Sequence, residues 1–562
     1  MKKLLMVSAI LILIVGTVLG SCGEPTPEET TTPTTAPPTT APPTTAPPTT
    51  APPTTAPPTT APPTTTGPQE PYGTLRVSMP TFSYESFDYI QGESFFGWSL
   101  YDPIVTWNRD LDFVPAIAES WDLSEDGKTW TFHIRQGLKF HNGDPLTSAD
   151  VLFSVEHFQS PDSTNPWSMY LVYNFDSHYC PDDYTYVYKT VDPEPPLIML
   201  FASTRVIPKN YIETNGIDYF REHPIGSGPW KFVSFTSGDN CIMEANTEHW
   251  RTVPHFQRLE QYVVPEEATQ VAMLKRGDVD IITGITLDRA ISLGDEGWTM
   301  RQAVVPTGSN VIMPGTWMTD GPTSDIRVRR ALAYSINRQE IADTFFHGYA
   351  EPGGRFFHYP GMYGWDPAWL PEPYDPDLAA SLLEEAGYPD AFDNPVITIY
   401  IQVGTGYTPD LFQILQGYWT EVGIQTEIVN VDPFEMLGMF FVPHFDDPSA
   451  PSVGAIIPWV YGDNWPTNVY HSKNMYCPGG VHTTSNDEHA LELYLKAVHE
   501  PNPELGEQYY KEFSAYVHDE LFINFGICLS YDQLVVGPGV GEFGWGEWMN
   551  IADAYADIHH AE

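Results

Sequence analysis

Residues 115–151 read PAIAESWDLSEDGKTWTFHIRQGLKFHNGDPLTSADV. Two extended runs, Glu119–Glu125 and Lys128–Arg135, flank Asp126-Gly127, a pair suited to a tight hairpin turn. Trp130, Phe132 and Ile134 alternate with Thr129, Thr131 and His133. That period of two predicts a strand with one face buried. Gly137 and Gly143 fall at turns. Thr147 then precedes a helical stretch with Asp150 three residues on, the spacing of a helix start. Val151, Phe153 and Val155 carry part of its apolar character.

Outward from this stretch, strands and helices stay mixed. Gly73–Met79 predicts an opening strand. Val328–Thr344 reads as one helix, with Ala331, Leu332, Ser335 and Ile336 near one face. Leu378–Ala386 reads as a helix closed by Gly387 as C-cap. Pro395–Ile401 is a strand, Leu411–Val422 a helix and Ile424–Val431 a strand. The pattern predicts α/β, or α+β with mixed sheets.

The N-terminal region has a different composition. Residues 1–21 read as a secretion signal: Lys2 and Lys3, an apolar run from Leu4 to Leu19, then Leu19-Gly20-Ser21-Cys22. This ending resembles the bacterial lipobox, which makes Cys22 the expected lipidation site. Residues 22–68 follow as a Thr/Pro-rich stalk, in which Thr34–Pro63 is six copies of TTAPP. It lacks the apolar residues needed for a core. Extended polyproline II at about 3.1 Å per residue gives it a reach on the order of 100 Å. Four further cysteines, Cys180, Cys241, Cys477 and Cys528, predict up to two disulfides in an oxidising compartment, with pairing undetermined.

The chain has 562 residues, with 26 basic and 73 acidic, a formal charge of −47. No basic stripe exists to neutralise phosphates, which argues against nucleic acid. Charge-driven binding to an anionic membrane is disfavoured for the same reason. No GxSxG nucleophile elbow, HExxH zinc helix or phosphate-binding loop occurs. Nothing therefore marks an enzyme, no catalytic residue is assigned, and neither cofactor nor metal is expected. His471, Cys477 and His482 are neighbours in sequence without forming a recognised metal motif.

The opening stretch closely resembles a signature of the bacterial extracellular solute-binding proteins, family 5, the peptide-, oligopeptide- and nickel-binding receptors of ABC importers. Six further blocks resemble the family in order. They are HPIGSGPWKF (223–232), NTEHW (246–250), PEEATQVAMLKRGDVDII (265–282), DIRVRRALAYSINRQEI (325–341), YDPDLAASLLEEAG (374–387) and LQGYWTEVGIQT (415–426). On residue type alone, Gly226, Gly228 and Pro229 are turn residues before a strand, and Arg327–Arg330 is a solvated or ion-paired helix face.

The resemblance implies an α/β, two-lobed periplasmic-binding-protein-like fold of the three-domain class II variant, with mixed sheets and a hinge. Domain I of lobe one would comprise 69–115, 225–315 and 526–562, domain II 116–224, and lobe two, domain III, 316–525. It further implies a monomeric, lipid-anchored receptor outside the cytoplasmic membrane that hands a small ligand, a peptide, to ABC permease subunits. An aspartate on a Trp-x-x-Asp-type loop holds the ligand's ammonium in peptide-binding members. The matching stretch here is Trp459-Val460-Tyr461-Gly462-Asp463-Asn464, one residue longer. Asp463, Trp459, Tyr461 and Gly462 are thus candidate ligand contacts. Where dipeptide-binding relatives carry an arginine, this chain has Gln402, and no Arg or Lys lies between Arg355 and Lys473. Gln91, Gly92 and Glu93, on the loop after the first strand, complete the candidate site. The missing arginine leaves an oligosaccharide or other neutral solute as the alternative ligand.

Overall fold

β1 (Thr74–Met79) is interior to its sheet, so Leu75, Val77 and Met79 are buried and Ser78 with them. β2 (Val105–Trp107) and β3 (Phe113–Pro115) form a short antiparallel ribbon. β4 (Ala118–Leu123) and β5 (Thr129–Ile134) are the arms of the expected hairpin, with Gly127 at φ 69° in its turn. Trp130, Phe132 and Ile134 are buried, as the alternation requires, and the residues between them are half-buried. β6 (Phe175–Asp182) and β7 (Thr185–Thr190) complete a four-stranded antiparallel sheet in the order β4-β5-β7-β6. The helix Ser148–Phe158 lies against β6 and β7. Its first turn is held by the Thr147 amide and hydroxyl donating to the Asp150 carboxylate at 2.9 and 3.1 Å.

Along the chain there follow β8 (Trp230–Thr236), β9 (Asn240–Ala245), β10 (Arg258–Val263), β11 (Ile281–Thr283) and β12 (Thr299–Gln302). Next come β13 (Thr307–Ile312), β14 (Ala350–Pro352), β15 (Ile397–Gln402), β16 (Thr426–Val431), β17 (Ile457–Tyr461) and β18 (Asn524–Ser530). β19 (Gln533–Val536) returns to the first sheet, a seven-stranded one ordered β12-β19-β11-β1-β10-β9-β8. A second four-stranded sheet runs β14-β18-β13-β17, and β15 pairs with β16 in parallel. The sheets are therefore mixed, with β1, β10 and β11 parallel and β19 antiparallel to β11.

This computed structural model describes residues 70–92, 96–108, 112–165, 167–302, 306–355, 362–402, 408–432, 435–436, 439, 448–461, 468–478, 484–541 and 555–561. They belong to one compact unit, Gly67–Glu562. The signal segment, Cys22 and the stalk lie outside the described residues. Among those described, no helix is long and apolar enough to cross a membrane.

The helices Ile326–Tyr334, Pro376–Ala386 and Thr408–Glu421 share a core with Ile397, Ile399 and Ile401 of β15. At its centre Trp419 is fully buried and donates its indole N–H to the Leu332 carbonyl at 3.0 Å. The helices Glu267–Arg276 and Leu287–Asp295 cover Ile282 and Val535 of the seven-stranded sheet. Gly387 is left-handed at φ 73°, ending its helix as expected. Gly226 shows why glycine stands before β8: a Cβ there would lie 1.9 Å from the Leu100 carbonyl oxygen.

Three expectations need correction. Val328–Thr344 is not one helix but two, Ile326–Tyr334 and Arg338–Thr344. Asn337 breaks it, its side chain accepting from the Glu340 amide as the second helix's N-cap. Arg329 is not part of a solvated face. It is buried, and donates to the carbonyls of Thr323, Ser324, Leu521 and Phe522 at 2.6–3.0 Å, while burial pulls its pKa down to about 10. Finally, Cys180, Cys241, Cys477 and Cys528 are all free thiols. They sit in or after four different elements: β6, β9, the helix Asn468–Tyr476 and β18. Burial pushes the Cys477 and Cys528 thiols up to about 12.

Candidate ligand-binding cleft

Strand polarity locates the cleft. On the seven-stranded sheet, β11 ends at Thr283, which pairs with Leu534, and β12 ends at Gln302, which pairs with Gln533 at the start of β19. On the second sheet, β18 ends at Ser530, which pairs with Thr307 at the start of β13, and the next rung joins Gly308 to Tyr461 at the end of β17. The chain passes between the sheets twice, from Gln302 to Thr307 and from Ser530 to Gln533. Their ends are paired, Gln302 with Gln533 and Thr307 with Ser530. Ser530 to Gln533 can span at most about 11 Å, so the two sheets approach within that distance there.

β15 runs parallel to β17, with Ile399 bridged to Ile456. Continued along both strands, that offset sets Gln402 level with Trp459. Both strands thus end on one edge, and ligands of α/β folds bind beyond the carboxyl ends of such strands. Trp459 is half-buried, packs against the main core, and its carbonyl accepts from the Asn310 amide at 3.3 Å. Gln402 is half-buried at the end of β15. Of Tyr461 only the backbone, as the last residue of β17, is described. Gly462, Asp463 and Glu93 lie outside the described residues.

From the other sheet comes the loop after β1. Its base is fixed by Asp88, fully buried, which His157 contacts at 2.8 Å and Arg221 at 2.9 Å. Burial would raise the Asp88 carboxyl, but the hydrogen bonds and charges of His157 and Arg221 outweigh it, and it titrates below the ordinary range. Gln91 is exposed and accepts the Ser86 hydroxyl at 2.7 Å. Gly92 is buried with φ 136°, and a Cβ there would lie 2.3 Å from the Tyr84 ring. Beside it opens a small pocket of about 260 Å³, its mouth included, lined by Ser86, Tyr89, Gly92, Trp98 and Arg205 among others. The Arg205 guanidinium lies 3.2 Å over the Trp98 ring.

The helix Asn468–Tyr476, which follows the candidate loop, was not legible as a contact in the sequence. Tyr470 donates to buried Glu194 at 3.0 Å, its ring lies 5.0 Å from Tyr170, and His471 meets Trp167 edge-on at 4.5 Å. Desolvation pushes the Glu194 carboxyl up to about 7, against the lowering hydrogen bonds from Asn174 and Tyr470. Apolar burial joins this helix to the core of the first sheet in one cluster. Among the described residues, no group of three His, Cys, Asp or Glu is arranged to hold a metal ion.

Comparison with known proteins gives this geometry a family. The model for bacterial extracellular solute-binding proteins, family 5 Middle, matches residues 112–479. The glutathione-binding protein GsiB of Salmonella paratyphi A is 27% identical over 340 residues, 59% of this chain and 64% of that protein, so the match spans less than two-thirds of that relative. A dipeptide-binding protein of Escherichia coli K12 is 27% identical over 375 residues, 59% of this chain and 67% of that one. The solved structure of NikA from Brucella suis in complex with Fe(III)-EDTA covers 87% of this chain and 100% of its own, with a TM-score of 0.76 at 20% identity. The fold is the α/β fold of the periplasmic binding proteins, and by the match over residues 112–479 the chain belongs to the bacterial extracellular solute-binding proteins, family 5.

Proposed function

We propose that this protein captures peptides outside the cytoplasm and delivers them to an ABC permease as a non-enzymatic binding protein, held to the membrane through lipid on Cys22 and the Thr/Pro stalk. The observation that carries the reading is the two connections between the sheets, Gln302 to Thr307 and Ser530 to Gln533, whose ends pair with each other. Two short connections, paired at both ends, act as a hinge, and closure over the ligand removes it from water. In this reading 69–115, 225–315 and 526–562 form domain I, 116–224 domain II, and 316–525 the closing lobe. Asp463 takes the ligand's ammonium, while Trp459, Tyr461, Gly462, Gln402, Gln91, Gly92 and Glu93 line the cleft.

The peptide class is supported by the dipeptide- and glutathione-binding names among the relatives. Gln402, together with the absence of Arg and Lys between Arg355 and Lys473, favours a second reading, a neutral solute such as an oligosaccharide. A thermal-shift screen of the ligand-stripped protein against peptide and oligosaccharide pools separates the two. Ligand at about 100 times its Kd stabilises by roughly 2.7 kcal/mol. A shift with peptides alone supports the first reading, and a shift with sugars alone replaces it with the second. In the peptide case Asp463→Asn should weaken binding of a peptide with a free N-terminus at least tenfold, and unchanged affinity removes Asp463 from the site.

A further inference from the structure

Between β18 and β19 the chain spends two residues, Tyr531 and Asp532, passing from one sheet to the other. Strand register fixes their surroundings. Beyond Asp532, Gln533 pairs with Gln302, and Leu534 with Thr283 at the carboxyl end of β11. Before Tyr531, Ser530 pairs with Thr307 and Ala350, one rung from the Gly308–Tyr461 pair that ends β17. Asp532 therefore stands in the short connection between the two sheets, beside the ends of β11, β12 and β17.

Asp532 is exposed, and its carboxylate has no hydrogen-bond or ion-pair partner among the described residues. The surrounding protein nevertheless desolvates it and raises its pKa, with nothing opposing. Glu351, whose charge reaches the adjacent Tyr531, adds to the negative potential there. The Gln533 amide is turned away, donating to the Tyr531 carbonyl at 2.7 Å. A desolvated carboxylate without a partner is costly, and an incoming cation recovers that cost through charge-assisted hydrogen bonds.

We propose that Asp532 is a ligand anchor on the hinge that selects peptides carrying a basic side chain. The proposal rests on the peptide reading and narrows it to a substrate class. A guanidinium or ammonium bound there contacts the segment on which the two sheets move, so charge recognition and closure act at one point.

The test uses the full chain carrying Cys22→Ala to prevent lipidation. Isothermal titration compares Ala-Arg-Ala with Ala-citrulline-Ala, a neutral tripeptide of nearly the same shape. The wild-type residue should give at least tenfold tighter binding of the arginine peptide. Asp532→Asn should reduce that preference to within twofold, and Asp532→Glu should retain most of it. The ligand-free Asp532→Asn protein should melt no lower than its parent, because no internal hydrogen bond is lost; a lower melting temperature would assign Asp532 a structural role instead. Equal affinity of the wild-type residue for both peptides, or an Asn variant that keeps the preference, overturns the assignment and leaves the peptide reading standing. A wild-type chain that binds neither these nor any pooled peptide overturns both.

Discussion

Glu194 offers a quantitative test of the contact between the helix Asn468–Tyr476 and the β4–β7 region. Its carboxylate is only 7% exposed and accepts from Asn174 at 2.8 Å and from Tyr470 at 3.0 Å. Burial raises its pKa from 4.5 to about 7. An acid whose folded pKa is raised takes up a proton on folding, so its contribution is most favourable below pH 4.5 and is lost as pH rises to 7. At 1.36 kcal/mol per pKa unit, the loss across that window is about 3 kcal/mol. Spread over the unit Gly67–Glu562 at about 2.1 cal/mol/K per residue, this is about 3 °C in melting temperature. The perturbation is Glu194→Gln. Glutamine accepts from Asn174 through Oε1 and donates to the Tyr470 hydroxyl through Nε2, so whatever penalty remains does not depend on pH. The informative quantity is therefore the wild-type minus variant difference in Tm, followed by scanning calorimetry from pH 4.5 to 8, where the titrations of the other residues cancel. That difference should fall by about 3 °C between pH 4.5 and 7.5. Parallel profiles would mean that Glu194 is not desolvated, and with it that the Tyr470 contact is not closed in solution.

Further outcomes follow from packing and charge. Gly226→Ala should destabilise by more than about 3 kcal/mol, since its Cβ meets the Leu100 carbonyl oxygen at 1.9 Å, whereas Gly417→Ala, in a helix with open space around it, should stabilise by about 0.5–1 kcal/mol. Equal denaturation midpoints for the two would refute the close approach of the 226 and 100 backbones. Reductant should leave the melting temperature unchanged, because Cys180, Cys241, Cys477 and Cys528 are unpaired; a fall of several degrees would reveal a disulfide. With a formal charge of −47, raising NaCl from 10 to 500 mM should raise Tm, as the screening length falls from about 30 Å to under 10 Å. A flat salt profile would show that self-repulsion does not limit stability.

The hairpin around Asp126-Gly127, the Thr147–Asp150 helix start and the Gly387 cap were legible in the sequence because each is a local rule, satisfied within a few residues of chain. The break at Asn337 was locally encoded too, but the apolar spacing of Ala331, Leu332, Ile336 and Ile341 runs through it and masks the cap. Arg329 looked solvated beside Arg327 and Arg330. Beside the nearby Thr323 and Ser324 carbonyls, its burial draws on those of Leu521 and Phe522, almost two hundred positions on.

The sequence by itself determined the family, through ordered blocks of local signatures, and it determined the composition that separates stalk from folded body. It also pointed to Trp459 and Gln402, which the parallel β15–β17 pairing brings to one edge. Only the tertiary structure decided where the two sheets approach, that Glu194 lies against Tyr470, and that Asp532 stands in the connection between the sheets. The physical reason is sequence separation. Gln302 and Gln533, or Thr307 and Ser530, become neighbours through strand register set by burial over the whole body. A Tyr-Asp pair between two apolar runs reads locally as nothing more than a turn.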